Sequence, residues 1–250
     1  IFPALLYGKS KLDKGLVVAG FSHDANVQVI PGLSDPNMDY ELLIDEKIPD
    51  VGKATTMFVF VDGLSKRITA LIDSLFNIFG LEVNYIGGGA GSLSRPRKPC
   101  LFSNKGLVQD SAVLALMELR SGVGVSHGWS EISGPYRITE SDHDVIKTLD
   151  WQPALLIYKK VVEKHAAQPL DEHNFFNVAK GYPFGISKLE AEKIVRIPIK
   201  IVNNDCLKCI GEVPEGSFVH ILSGNIDSLV QAAANALQLA ESAYGEIQEN

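Results

Sequence analysis

The sequence predicts an α+β fold, in which mixed, largely antiparallel sheets are flanked by helices. Three observations carry this prediction: a continuous apolar strand at Met57–Val61, apolar residues at helical spacing over Ile68–Phe79, and two apolar runs joined by the turn Asn203–Asp205. Helices that occur together with hairpins are typical of sheets covered by helices. At 250 residues, the chain is long enough to bury one large core or two adjoining cores.

The first part of the chain predicts strands, loops and one helix. We expect a hairpin within Gly15–Ile30 and a loop with one short strand over Pro31–Pro49. The helix Ile68–Phe79 is expected to end at Gly80, where a left-handed C-cap fits. A further strand, Leu81–Ile86, leads into a glycine-rich run.

Tight turns after the glycine-rich run indicate antiparallel pairing. Cys100–Leu119 predicts a hairpin around the turn Ser103–Gly106, because Asn and Gly accept the positive φ that such turns need. Further strands are expected at Val123–Trp129 and Tyr136–Thr139.

The last part of the chain predicts two helices and a second hairpin. The helices are Pro153–Lys164 and Ile226–Ala243; the hairpin joins Ile194–Val202 to Cys206–Ile210, and Phe218–Leu222 is a further strand. Helical spacing predicts that the second helix buries one apolar stripe, made of Ile226, Leu229, Val230, Ala233, Leu237 and Ala240.

Composition excludes several classes of function. The chain has 23 Lys and Arg against 30 Asp and Glu, a net charge of −7, which is the wrong sign for a protein that neutralises phosphates. We therefore expect no nucleic-acid partner. We also expect no membrane partner, because no apolar run is as long as a membrane span. The three cysteines are an odd and sparse set, which favours a reducing, cytoplasmic location.

The glycine-rich run is the first candidate for binding chemistry. It follows a predicted strand, and its bare backbone N–H groups are suited to an anion or a carboxylate. Pro96 and Pro99 exclude the helix that a nucleotide-binding loop needs directly afterwards. Two interpretations stay open, close packing of the backbone and lining of a ligand site. The residues concerned are Gly87, Gly88, Gly89, Ala90, Gly91 and Ser92.

A second candidate is the pattern Gly124–Gly128, which matches the Gly-x-Ser-x-Gly nucleophile elbow around Ser126. That elbow requires a sharp turn from a strand into a helix, and no helix fits before Gly134-Pro135. We therefore expect a strand flanked by glycines, in which Ser126 is not a nucleophile and His127 is not a catalytic base.

Metal chemistry is not favoured by the sequence. Cys206-x-x-Cys209 lacks a second pair, and residues three apart in a strand point to opposite faces. His143, between two aspartates, is typical of a solvated turn. We expect no metal and no cofactor.

Polar residues in apolar surroundings form the last group of candidates. Arg196 stands in an apolar strand, where a buried guanidinium would require a carboxylate from the protein or from a ligand. Exposure to water at a sheet edge is the alternative. The whole group is Trp129, Arg137, Thr139, Tyr158, Tyr182 and Arg196.

Several segments, in order, resemble the FIST family (F-box and intracellular signal transduction). The likeness runs from about Thr55 to Ala240. It departs from the family pattern at Trp151, where the family has glycine. The segments that carry it are Phe58–Leu64, Ile86–Gly91, Phe102–Gly106, Gly128-Trp129, Arg137–Thr139, Leu149–Ala154, Tyr182–Ile186, Ile194–Arg196 and Val213–Gly216.

The resemblance implies a sensory domain in signal transduction that binds a small molecule, proposed for the family to be an amino acid or a derivative. It implies an N-terminal region at 1–150 and the start of a C-terminal region at 151–250. The expected partners are the small-molecule ligand and a signalling protein or a fused output domain.

Because an amino acid carries a carboxylate, we predict a pocket where the glycine-rich run approaches the polar residues. Two alternatives stay open, a small serine hydrolase that uses Ser126 and a non-catalytic protein-interaction scaffold. The predicted ligand-binding residues are Gly87, Gly88, Gly89, Ala90, Gly91, Ser92, Trp129, Arg137, Thr139 and Arg196.

Overall fold

The structure is a computed structural model that describes residues 5–91, 98–187 and 192–249. The chain divides into two compact units, which we call unit 1 (residues 1–123 with 242–250) and unit 2 (residues 124–241). Among the described strands, only one pair is parallel and all other pairs are antiparallel, and helices flank the sheets. The predicted α+β class is therefore confirmed.

Unit 1 is built on a four-stranded sheet with the strand order β3-β8-β4-β5, in which only β4 and β5 are parallel. Two separate hairpins, β1–β2 and β6–β7, accompany it. In chain order the elements are Leu5–Tyr7 (β1), Ser10–Leu12 (β2), Ala25–Pro31 (β3), Tyr40–Lys47 (α1), Thr56–Asp62 (β4), Ile68–Phe79 (α2), Asn84–Ala90 (β5), Leu101–Ser103 (β6), Gly106–Val108 (β7) and Ser111–Met117 (β8).

Alternation along β4 separates the two faces of this sheet, because successive side chains of a strand point to opposite sides. Met57 and Val59 are buried in the cluster that includes Leu71 and Leu75 of α2. Phe60 points to the other side and is 37% exposed. The helix α2 spans the predicted Ile68–Phe79 and ends at Gly80, whose φ is +58°.

Unit 2 contains a curled sheet with the strand order β13-β12-β16-β9-β10-β15-β14 and a short strand β11 beside β10. The two ends of this path, β13 and β14, are separated in the chain only by Ile197, so the sheet curls to bring its ends together. The elements are Ser130–Asp142 (β9), Val145–Leu149 (β10), Gln152–Pro153 (β11), Ala154–Ala166 (α3), Phe175–Ala179 (α4), Phe184–Ile186 (β12), Ile194–Arg196 (β13), Pro198–Val202 (β14), Cys206–Cys209 (β15), Phe218–Ser223 (β16) and Ile226–Glu249 (α5). Residues 242–249 at the end of α5 are counted with unit 1.

The core of unit 2 centres on Tyr158 of α3, which is fully buried. Its ring centroid lies 5.2 Å from that of Phe184 and 6.1 Å from that of Phe175. Its hydroxyl donates to the carbonyl of Tyr182 at 2.7 Å, so the buried polar atom is satisfied. The predicted helix Pro153–Lys164 and the hairpin around Asn203–Asp205 are both confirmed.

Three predictions for unit 1 are wrong. The stretch Pro31–Pro49 contains the helix α1, whose N-cap Asp39 accepts a hydrogen bond from the amide of Leu42 at 3.1 Å. No hairpin forms within Gly15–Ile30, because β3 pairs with β8 instead. The hairpin predicted over Cys100–Leu119 is limited to β6–β7, since β8 pairs with β3 and β4 in the main sheet.

The predicted strand Val123–Trp129 is also absent; the first strand of unit 2 is β9. Instead, two glycines of this segment meet the backbone of α5. A Cβ atom at Gly124 would overlap the carbonyl of Ala236 and lie 2.6 Å from the amide of Ala240. At Gly128 it would overlap the carbonyl of Ser228. The glycines of the Gly-x-Ser-x-Gly pattern therefore allow close packing on a helix.

The buried stripe predicted for α5 is wrong as well. Ile226, Val230 and Leu237 are 79%, 65% and 60% exposed, whereas Ala232 is buried. The helix meets the segment before β9 through its small residues, because those permit the closest approach to Gly124 and Gly128. Periodicity identified the helix correctly but assigned the wrong side to the core.

A strained two-residue turn joins β10 to β11. Asp150 and Trp151 both have positive φ, +47° and +65°, between the paired residues Leu149 and Gln152. The left-handed region is unfavourable for a residue with a side chain. Trp151 is 81% exposed, so packing offsets little of that cost.

The first testable prediction concerns this turn. We expect Trp151→Gly to raise the free energy of unfolding by about 1 kcal/mol, because glycine has no penalty in the left-handed region. Urea unfolding of both proteins measures the change. Asp150→Gly is the matched control: it relieves similar strain but removes the carboxylate that accepts from the amide of Arg137 at 2.9 Å. Equal or lower stability in Trp151→Gly would contradict the strain argument.

Candidate functional site

The sequence predicted that the glycine-rich run follows a strand; instead, its first four residues, Gly87–Ala90, lie within β5. The strand β5 forms an edge of the main sheet of unit 1. A Cβ atom at Gly87 would overlap the carbonyl of Val59, so this glycine is required for packing against β4. Gly88 differs, because a Cβ there would find no atom within 4 Å. Gly88 pairs with Phe60 across the sheet, and an open space therefore lies beside that ring.

Aromatic rings continue from Phe60 over the same face of the sheet. The ring centroids of Phe60 and Phe58 lie 6.4 Å apart, nearly parallel, and Phe21 lies 5.9 Å from Phe58. Phe21 and Phe60 are both exposed. This face of unit 1 thus offers an aromatic surface next to a backbone that carries no side chain at Gly88.

The backbone of β5 presents polar groups along its outer edge. The amide of Asn84 donates to the carbonyl of Thr55 at 2.9 Å, and the carbonyl of Ala90 accepts from the amide of Gly63 at 2.8 Å. Even-numbered residues of β5 therefore face β4, and the N–H and C=O groups of Gly87 and Gly89 point to the outer edge. Among the described strands, none pairs with that edge.

A buried carboxylate lies on β4, opposite the last residue of β5. Asp62 pairs with Ala90 and is 1% exposed. Its two oxygens accept from the backbone amides of Asp110, at 2.8 Å, and Leu64, at 3.1 Å. Sequence analysis named Asp62 only as part of a resembling segment and missed this positioning role. Gly91 follows β5, and Ser92 lies outside the described residues.

Two of the predicted polar residues of unit 2 lie on β9 beside the strained turn. Arg137 is exposed, and Thr139 is buried. The hydroxyl of Thr139 accepts from the amide of Trp151 at 3.0 Å and lies 2.7 Å from the hydroxyl of Thr148. Trp129 packs elsewhere in unit 2, against Gly224. Thr139 therefore supports the turn with its side chain.

Arg196 occupies β13, which the strands β12 and β16 separate from β9. The side chain is half-buried, and burial lowers the pKa of its guanidinium. Its Nε donates to the carbonyl of Glu212 at 2.7 Å, and its Nη1 donates to the carbonyl of Val195 at 3.2 Å. The sequence left a carboxylate partner and exposure to water as alternatives, and in the structure backbone carbonyls accept the hydrogen bonds instead. Its contribution to a ligand site stays a prediction, as does the predicted pocket.

The Gly-x-Ser-x-Gly segment lacks the geometry of a nucleophile elbow. The sequence predicted that no helix follows Ser126, and the chain continues from Ser126 into the strand β9. Both ring nitrogens of His127 face other groups: Nδ1 accepts from the amide of Trp129 at 3.0 Å, and Nε2 lies 2.9 Å from Glu192 Oε2. His127 is therefore not arranged as a base for Ser126.

A polar cluster in unit 2 escaped sequence analysis. Nδ1 of His220 lies 3.4 Å from the hydroxyl of Ser187, and its Nε2 lies 3.3 Å from a carboxylate oxygen of Glu131. Lys193 holds the other oxygen of Glu131 at 2.6 Å, which lowers the pKa of Glu131. Burial lowers the pKa of His220. The order serine, histidine, carboxylate is the arrangement that activates a hydroxyl in acyl transfer.

The cysteines do not resemble a metal or redox site. Burial and the adjacent Asp205 raise the pKa of Cys206 to about 11, and burial raises the pKa of Cys209 further. The raised pKa values disfavour the thiolate, which is the reactive form of cysteine. Within the described parts of the chain, no group of three or more metal-binding side chains occurs. His143 lies in an exposed turn, as predicted.

These features define an α+β protein of two units, one with a glycine-rich edge strand and one with a curled antiparallel sheet. The chain belongs to the FIST family: the FIST N domain matches residues 4–152, and the FIST C domain matches residues 154–248. FIST domains are sensory domains of signal transduction. No curated protein and no solved structure matches the chain. Across the described residues, no helix is long and apolar enough to cross a membrane.

The second testable prediction concerns His220. Because its pKa is lowered in the folded chain, the unfolded chain binds the proton more readily at a pH near or below about 6.5. The contribution to stability is therefore complete above about pH 6.5 and is lost as the pH falls through and below that value. Urea unfolding over this range should show a weaker loss in His220→Gln. His23→Gln, at an exposed histidine, is the control and should keep the wild-type slope.

Proposed function

We propose that this chain is the ligand-binding part of a signal-transduction sensor, and that its ligand contacts residues Gly87–Gly91 of the glycine-rich run in unit 1. The ligand class is a small molecule with a carboxylate, an amino acid or a derivative of one. Binding is passed on by a conformational change to a signalling partner or an output domain. The membership of the sensory FIST family supports this function.

The observation that carries the proposal is the contrast between Gly87 and Gly88. Gly87 is explained by packing on β4, whereas Gly88 leaves space beside Phe60 that no described atom fills. A ligand in that space meets the exposed ring of Phe60 and outward backbone groups of Gly87 and Gly89. Backbone N–H groups at such an edge are suited to a carboxylate.

Arg137 is the better of the two predicted arginines for a carboxylate. Within the described residues, its guanidinium has no hydrogen-bond or ion-pair partner, whereas Nε and Nη1 of Arg196 donate to backbone carbonyls. A free guanidinium can form two parallel hydrogen bonds to a carboxylate. Arg137 and Arg196 both remain predicted ligand-binding residues of unit 2.

A third prediction tests the glycine site with a thermal-shift screen of amino acids and their derivatives. A ligand at a hundred times its Kd should stabilise the wild type by about 2.7 kcal/mol. Gly88→Val should abolish the shift, because the side chain fills the open space while the fold tolerates it. The matched control is Gly245→Val on α5, since Gly245 also has open space around it and an ordinary φ.

The same screen separates the alternatives. A hit whose shift is equal in Gly88→Val and wild type would refute the glycine site, and the absence of any hit would favour an interaction scaffold. For a confirmed ligand, Arg137→Ala should weaken binding by about 1.5–3 kcal/mol if a charged hydrogen bond is lost.

Hydrolysis is the second candidate function, favoured by the arrangement of Ser187, His220 and Glu131. A fourth prediction is that Ser126→Ala leaves any labelling by a fluorophosphonate probe unchanged, because His127 is occupied elsewhere. Labelling that disappears in both Ser187→Ala and His220→Ala would support a hydrolase. A wild-type chain that is not labelled would support the sensory function. Labelling that is lost only in Ser126→Ala would show that Ser126 is the nucleophile of a Gly-x-Ser-x-Gly elbow.

A further inference from the structure

The helix α5 carries apolar side chains outside the part of its surface that packs against Gly124 and Gly128. At 100° per residue, Ser228, Ala232 and Ala236 fall on one side, and they are the residues that meet Gly124 and Gly128. A second set, at spacings of four, three and four residues, lies next to them around the helix. We call this set the outer stripe; it consists of Ile226, Val230, Ala233 and Leu237.

The outer stripe is open to solvent over its whole length. Ile226, Val230 and Leu237 are among the most exposed large apolar side chains of unit 2, and Ala233 is exposed between them. Scattered exposed apolar residues are common on protein surfaces, but a regular stripe along a helix is the pattern of an anchor row in helix pairing.

Charge restricts what can cover this surface. Asp227 and Glu241 stand beside the outer stripe at its two ends, and the helix Ile226–Glu249 contains no lysine, arginine or histidine. A second copy of α5 would bring the same acidic residues against these, whether it lay parallel or antiparallel. An anionic membrane surface would be repelled for the same reason.

We propose that the outer stripe is a docking surface for an amphipathic helix of a partner protein, with an apolar row that matches the stripe and lysine or arginine along its rim. The apolar rows supply the contact, and the basic rim pairs with Asp227 and Glu241. Four anchors over about three helical turns give a small interface, so the contact is transient. This surface is independent of the proposed ligand site.

The probe is a synthetic amphipathic peptide of about five helical turns, with leucine at the stripe spacing and lysine elsewhere. Its binding to the full chain is followed by fluorescence anisotropy. Two control peptides accompany it: one has the same composition with the leucines scattered around the helix, and the other has glutamate in place of lysine. The proposal expects binding of the first peptide only.

Variants then locate the binding. Val230→Ser with Leu237→Ser should weaken binding at least about tenfold without changing the charge. Asp227→Asn with Glu241→Gln should weaken binding and reduce its sensitivity to salt. Gln231→Ser with Asn235→Ser, on the exposed polar side of the same helix, is the matched control and should bind as the wild type does. Circular dichroism checks that α5 stays folded in each variant.

Three outcomes would overturn the proposal. Binding that survives Val230→Ser with Leu237→Ser would be purely electrostatic and not centred on the stripe. Equal binding of the glutamate peptide would remove the basic-partner argument. Sedimentation that shows a dimer of the wild type, lost in the same double variant, would assign the surface to a second copy.

Discussion

Unit 2 depends on one strand, β9, which is paired along both of its edges. It bonds to β16 on one side and to β10 on the other, and Ile138 at its middle is fully buried in the core. Because β9 pairs with a strand on each side, its pairing register determines which of its side chains face the core and which face solvent. Arg137 and Thr139 are adjacent in sequence to Ile138, and Glu131 meets His220 because of the same pairing. The two ladders of β9 therefore place Glu131, Arg137 and Thr139.

Glycine has two opposite uses in this chain. At Gly87 and Gly124, the missing side chain lets two backbones approach, and any Cβ atom would overlap a carbonyl. At Gly88, the missing side chain leaves space that no described neighbour takes. The sequence does not distinguish these cases, because the residue type is glycine in each of them. Only the position of the neighbouring backbone separates a packing requirement from an opening.

Local patterns in the sequence predicted local structure well. The helix α2 was predictable because its apolar period and Gly80 agree, and the hairpin at Asn203–Asp205 because asparagine accepts positive φ. The helix α1 was missed because prolines and acids around it obscure a short element. For α5, the helical periodicity predicts apolar residues on one side of the helix. It does not predict which of them pack against the rest of the protein.

Contacts between residues that are far apart along the chain could not be predicted from the sequence. Glu131 lies on β9, His220 lies on β16, and Ser187 directly follows β12. The three residues share no motif, so only the pairing of β12, β16 and β9 brings them together. The partners of Arg196 are backbone carbonyls, which carry no residue-specific signal. The family resemblance did extend over most of the chain, because it rests on the order of many short segments and not on any one contact.

The placement of the two tryptophans has a spectroscopic consequence. Trp129 lies against the backbone at Gly224, whereas Trp151 stands in water on its turn. Indole emission moves to longer wavelength in a polar surrounding, and a soluble quencher reaches only an accessible ring. The chain therefore carries two intrinsic fluorophores in contrasting environments, an exposed indole at the turn and a half-buried indole that packs against Gly224.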